Sequence, residues 1–586
     1  MAKSKNQQSR QKSKAVESRL VNRVSDWFTS HFRLLSIGVI VLAGLLRLSF
    51  LYELPDMPLS QLHKAADLDM LFFDIWGDRI AGGDIWTDTI WHPYHTWHAE
   101  VAKGFGIEDE TLSKQKWGEW YGGKKYHQEP LYPLLIAFAK LIAGNGLLLM
   151  YILQMVLSLL SIWMVIWLGR HYFSPMAGIL GGLLFTLYGP GLLFDATLLR
   201  TSFSTTLLLG YIVIAEKLMQ GKSKAWLMGV LGGAGYLFMT TTLLLWMPLI
   251  IRWFYVRRIA LKNIWQVVLG FCLVLSFLVI RNSITKTPSL SVSSVGPITY
   301  ILSNFKEYKP ELGFVYFQQA GKILERSQGH MISSILLMID QNGSVWNWLA
   351  LQVKKFFIVF HWFEIPNNVN SYLAEIFSTT LKVTFIPYSF IAAIGLLGLI
   401  LNIKNKKALN LHLGILSQVA VMVIFYVLCR FRVPLVAMLC VFGGYTLQQL
   451  ATFKPAKRFT FILIGAIALW LTILRPFPNI QATFTRGDLA TNFNNYYLPK
   501  LNDLSAKQDF AGCVKLFDTF LKTMPDYVSD RDQLRGVLQP FQRDVVHYYG
   551  LVYGDLVGLY ESMGDASKAK ECKEKSEMLM AVGSSR

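Results

Sequence analysis

Charge is scarce in this sequence. Of 586 residues only 16% are Asp, Glu, Lys or Arg, while 53% are hydrophobic. A soluble chain of this length needs more charged surface to cover its core, so a soluble globular protein is excluded. Apolar–polar alternation is also missing. From Leu34 to Ile473 the apolar runs are continuous, which excludes a membrane β-barrel. Cysteine is sparse: five in all, with Cys272, Cys429 and Cys440 inside apolar runs, which supports neither a disulfide framework nor a cysteine metal site. The first apolar run lacks a small-residue cleavage site and follows a long basic, polar segment, so it reads as an uncleaved first helix. Carboxylates are the rarer charge, 38 against 57 Lys and Arg, for a net +19. The basic excess lies in the first 33 residues and in short loops between apolar runs. That is how membrane topology is written, and nucleic acid is not an expected partner.

What is present is a series of apolar runs, many near the 20 residues that span a bilayer as helix. They predict an all-α, polytopic membrane protein with about 11 transmembrane helices. The first covers 34–52; the others fall near 147–168, 174–191, 203–219, 225–238, 241–255, 264–280, 385–403, 409–428, 434–451 and 458–474. The run 131–143 is too short to span and is expected to dip into the membrane or lie on it. The chain therefore divides into a basic cytoplasmic tail (1–33), a transmembrane domain (34–475) and a soluble region (476–586). Within the membrane domain, 53–129 and 281–380 read as large outer loops. The basic loops 169–173, 216–224, 255–262, 403–407 and 454–458 all fall on the cytoplasmic side of this scheme.

Four arginines sit on the other side. Arg200, Arg281, Arg430 and Arg432 cap the outer ends of separate helices, where the positive-inside rule disfavours them. One such arginine snorkelling to headgroups is ordinary. Four together predict a shared anion, a lipid phosphate or pyrophosphate held by guanidinium forks. The first outer loop carries the carboxylates Asp67, Asp69, Asp74, Asp78 and Asp84. Phe72, Phe73, Trp76 and Ile80 recur at helical spacing, as on a helix lying on the bilayer surface, which Gly82-Gly83 would end. Asp69, just before that stripe, is placed to point at something held at the lipid interface, whereas Asp78 and Asp84 read as solvated. His92, His95, His98 and His127 leave two readings, a divalent-metal site or a structural, acceptor-contacting loop. They share no helix face, so no metal ligand is assigned.

The stretch DMLFFDIWGDRIAGGD followed by QEPLYPLLIA resembles the first outer loop of bacterial membrane glycosyltransferases of the GT-C class, relatives of protein O-mannosyltransferases and of the lipid A aminoarabinose transferase. YGPGLLFDATLLRTS, LVIRNSITKTPSLSVSSVGPI, WFEIPNN and CRFRVPL resemble further segments of that class in the same order, covering about 34–450. Residues 90–125 are an insertion relative to it, and Asp195 stands where relatives often have glutamate.

The resemblance implies a sugar donor that is a polyprenyl-phosphate glycoside and a catalytic base at Asp69. Displacing the phosphate with an acceptor hydroxyl needs a base at that hydroxyl and positive charge on the leaving phosphate. Arg200, Arg281, Arg430 and Arg432 are the candidates for the second task, and Asp67, Glu129 and Asp195 for acidic support. A single displacement inverts the anomeric centre. Implied with this are an inner-membrane location in bacteria, an outer-side active site, a cytoplasmic N-terminus and a periplasmic C-terminus. The acceptor would be a protein or an envelope glycan or lipid.

After Arg475-Pro476 the membrane pattern stops. Residues around Cys513, Phe517 and Pro525, and again Tyr560, Gly564 and Ala569, fit two helix pairs of tetratricopeptide type, a candidate platform for a protein partner. The competing readings are a transporter or flippase of lipid-linked sugar, which favours charged or broken helices at the midplane, and a non-catalytic envelope-assembly protein acting through that tail.

Overall fold

The computed structural model describes residues 25–257, 261–308, 317–451, 456–472, 484–534 and 538–584. Most of the basic N-terminal tail lies outside them. The fold is all-helical, 78% helix, and the only β pairing among the described residues is two isolated bridges.

Among the described residues, six helices are long and apolar enough to cross a membrane: Phe32–Asp56, Leu147–Tyr172, Thr201–Met219, Lys262–Thr285, Lys406–Ile424 and Cys429–Ala451. Leu131–Ala143, Pro175–Thr186, Ala225–Phe238, Met331–Gln341 and Tyr388–Leu401 are apolar but shorter. The first helix leaves Leu34, Ile37, Val41, Leu45 and Leu48 exposed at i, i+3, i+4 spacing. A stripe of that size is a hydrocarbon-facing surface.

The hub is the helix Cys429–Ala451, buried on all sides from Arg432 to Gly444. It packs against Pro175–Thr186, Tyr388–Leu401, Thr201–Met219, Leu147–Tyr172 and Leu409–Ile424. Its backbone comes so close to Pro175–Thr186 that a Cβ on Gly444 would stand 2.2 Å from the Ala177 carbonyl oxygen. Small residues allow such approaches where helices pack by dispersion inside a membrane.

Polar contacts sort the helix ends into two sets. At one end Glu216 accepts hydrogen bonds from Tyr172 (2.7 Å) and Asn410 (2.7 Å), Arg252 donates to Asn410 (2.6 Å), and Ser174 donates to Gln448 (2.7 Å). At the other end the segments predicted to be outer loops meet one another. Arg281 binds the carbonyls of Trp86, Thr87 and Lys124, and Asn368 binds Asp69.

One expectation needs correction. Phe72, Phe73, Trp76 and Ile80 do share one face of a helix, Asp69–Ala81, that stops at Gly82, but the face is turned into the protein. Trp91, Tyr126, His127 and Tyr132 pack against its rings, and all four of its own side chains are buried within the protein. The partner helix is Leu131–Ala143, whose Ile136 fills the notch left by Gly77 and whose Lys140 pairs with Asp74 (2.7 Å) and Asp78 (2.6 Å). The other segment read as a large outer loop is 281–380. It holds the helices Val295–Leu302, Phe317–Ser327, Met331–Gln341, Val345–Val359, Ser371–Phe377 and Thr379–Val383.

Residues 484–534 and 538–584 form a helical unit around their own core of Phe493, Phe517, Phe520, Val545 and Tyr549. It contains two helical hairpins, Leu498–Ala506 with Phe510–Leu521 and Pro540–Ser562 with Ala566–Ser584. Leu373 enters its core, and it also packs on the turn Pro58–Lys64.

Candidate active site

Asp69 opens its helix, where the N-terminal dipole favours a carboxylate. Its backbone N–H donates to the side-chain oxygen of Asn368 (2.7 Å), and Asn368 returns a bond to Oδ2 (2.9 Å). Asn368 adopts φ +62, a left-handed conformation that asparagine tolerates better than most residues. Gln128 donates to Oδ1 at 3.3 Å, and the Arg430 guanidinium pairs with Oδ2 at 2.9 Å. Burial pushes this carboxyl up, but Arg430 and Asn368 outweigh it and hold it at about 2. Asp69 is 23% exposed and opens on a cavity of about 570 Å³.

Arg430 lies in the first turn of Cys429–Ala451 and spans from Asp69 to the face of Phe431 (5.0 Å). A cation there opposes the helix dipole, so it needs an anion. Its Nε is buried without a hydrogen-bond partner among the described residues. Arg200 also lines the cavity, but its fork is occupied by Glu129 (2.5 Å), Gln128 (2.8 Å) and the Phe238 carbonyl (2.9 Å). Glu129 in turn accepts from the backbone and hydroxyl of Thr240 (3.1 and 3.0 Å). Burial raises its carboxyl, and Arg200 brings it below the ordinary value.

Segment 90–125 supplies one wall. Its helix Thr96–Lys103 is tied down by Asp67, which accepts from the Thr96 N–H (2.8 Å) and hydroxyl (3.0 Å). His98 is fully buried. Its Nδ1 accepts from the His95 N–H (2.7 Å), so in the neutral ring Nε2 carries the proton toward the Tyr121 hydroxyl (3.0 Å). Burial pushes both His98 and His127 well below the usual histidine range. Among the described residues no three His, Cys, Asp or Glu side chains gather as a metal site. The far wall, from Ile298, Leu302, Val421, Phe425 and Phe431, is apolar.

Asp67, Asp69, Glu129, Arg200 and Arg430 therefore meet in one cavity, and Asp195, Arg281 and Arg432 do not line it. Asp195 is buried against Arg47 (2.9 Å) and Ser202 (2.6 Å). Arg281 pins the first outer loop through three carbonyls and lies 3.9 Å over the Tyr126 ring. Arg432 is fully buried, bound to the Phe363 and Ile358 carbonyls (2.5 and 2.7 Å) and to Glu364 (3.3 Å). For Arg432 the physical reason is its spacing from Arg430: two residues apart on a helix, side chains diverge by roughly 200° and cannot hold the same anion. Asn368 and Gln128 are site residues that the sequence reading did not single out, although each sits inside a motif it used, WFEIPNN and QEP.

Compared with known proteins, the chain matches no family model, no curated sequence and no solved structure.

Proposed function

We propose that this chain is a membrane glycosyltransferase of the GT-C type, transferring a sugar from a polyprenyl-phosphate donor to a hydroxyl on a protein or envelope acceptor. The observation that carries the reading is the juxtaposition, in one cavity with an apolar wall, of a carboxylate and a guanidinium paired with each other. In the proposed step the acceptor oxygen attacks the anomeric carbon and the carbon–oxygen bond to phosphate breaks. Asp69 takes the hydroxyl proton, and Arg430 receives the negative lipid phosphate. A donor phosphate competes with Asp69 for Arg430. Its arrival lifts the carboxyl from about 2 toward the ordinary range, where it is a better base. Glu129 and Arg200 brace the wall beside it, and Asp67 holds the insertion helix in place.

The same reading takes the chain as an inner-membrane protein of about 11 spans. The N-terminus is cytoplasmic, and the cavity and residues 476–586 are outside, with the hairpins of that region serving as a tetratricopeptide-like platform for a protein partner. The test is binding of a synthetic polyprenyl-phosphate sugar to purified protein in detergent. We expect Arg430→Gln to weaken binding about ten- to a hundredfold, the loss of one charge-assisted contact, with a free polyprenol sugar bound equally by both. Equal binding of the phosphate donor by both proteins would remove Arg430 from the site.

A further inference from the structure

Residues 331–359 form two helices, Met331–Gln341 and Val345–Val359, joined by the polar turn Asn342-Gly343-Ser344. At roughly 1.5 Å per residue they are about 16 and 22 Å long, too short to cross the hydrocarbon layer of about 30 Å. One side of the pair is anchored. Met338 and Leu351 are buried, and the Lys355 ammonium, wholly inside, caps the carbonyls of Phe425 (2.6 Å) and Ser303 (3.1 Å). The other side is bare. Ile332 is 75% exposed, Leu336 63%, Trp346 75%, Val353 57% and Phe357 57%.

We infer that this pair is an interfacial element whose bare face enters the acyl region of the outer leaflet beside the cavity mouth. The occupant is the bilayer, for reasons of continuity. Val345–Val359 packs along Leu409–Ile424, whose own exposed side chains, Leu416 and Ile424, face lipid in a bundle of this kind. The Phe425 carbonyl that Lys355 caps belongs to a residue lining the cavity, so the element lies level with it. The polar turn and exposed Trp346 fit a headgroup-level position, not a buried one. The inference is independent of the chemistry proposed above.

Spin labels at Leu336, Val353 and Phe357 in lipid nanodiscs test it, with Lys322 on the exposed face of Phe317–Ser327 as the aqueous control. We expect the three labels to relax faster with oxygen than with a water-soluble nickel chelate, and Lys322 to show the reverse. Preferential access of nickel to the three labels would make the pair an aqueous surface, and protection from both reagents would make it a protein interface. Either result overturns the inference.

Discussion

Asp69 and Arg430 hold each other, and that pairing has consequences that titration can read. The folded carboxyl is at about 2, below its unfolded value near 3.9, so the pair contributes stability in full above pH ~4 and loses it as pH falls toward 2. Thermal unfolding should show this acid loss in the wild type and a smaller one in Arg430→Gln, where the depression is relieved. If both variants lose stability equally between pH 4 and 2, the pair is not formed. Arg432→Ala should behave differently. Its guanidinium supports Glu364 and two carbonyls, and breaking such a buried pair costs about 3–5 kcal/mol. The expected outcome is a strong loss of yield and melting temperature, with donor affinity of the surviving fraction unchanged. At this scale the sequence was only partly legible. That four arginines stood against the positive-inside rule was visible, but which were bound by carbonyls was not, because carbonyl partners leave no mark on the side-chain string. The two-residue spacing of Arg430 and Arg432 did hold the clue that they diverge.

Elements were more legible, because their signal is local. The apolar runs near 147–168, 203–219, 225–238 and 409–428 correspond to Leu147–Tyr172, Thr201–Met219, Ala225–Phe238 and Leu409–Ile424. The run 174–191 stops early, at Thr186, with Gly189-Pro190 opening a separate short helix. The hub helix starts at Cys429, ahead of the run 434–451, because its two arginines interrupt the apolar pattern. Periodicity also told which residues of Asp69–Ala81 share a face, but not whether lipid or protein covers it, since both are apolar. Glycine tests the packing of the hub. Gly444→Ala would drive a methyl into the Ala177 carbonyl and within 2.6 Å of the Gly181 nitrogen, an overpacking worth about 1–3 kcal/mol. Gly44→Ala meets nothing within 4 Å and should be neutral or slightly stabilising. Equal melting temperatures for the two variants in detergent would contradict the close approach.

For the whole molecule, loop charges predict an alternation of helix ends, and polar contacts sort several of those ends into two sets. Orientation is the remaining step. Cysteines placed at Glu100 and at Lys568 should both react with an impermeant reagent added to intact cells. Labelling of Lys568→Cys only after permeabilisation would put residues 484–584 on the opposite side from the proposed one. The contacts of that unit with Leu373 and with Pro58–Lys64 would then have to be wrong as well. The central claim, that this cavity moves a sugar with Asp69 as the base, is tested most directly by Asp69→Asn. The amide keeps the shape but accepts no proton. Lipid phosphate released from a synthetic polyprenyl-phosphate sugar, with an envelope extract as acceptor, should fall by at least about a hundredfold while donor binding is retained. Wild-type release by Asp69→Asn would contradict the account.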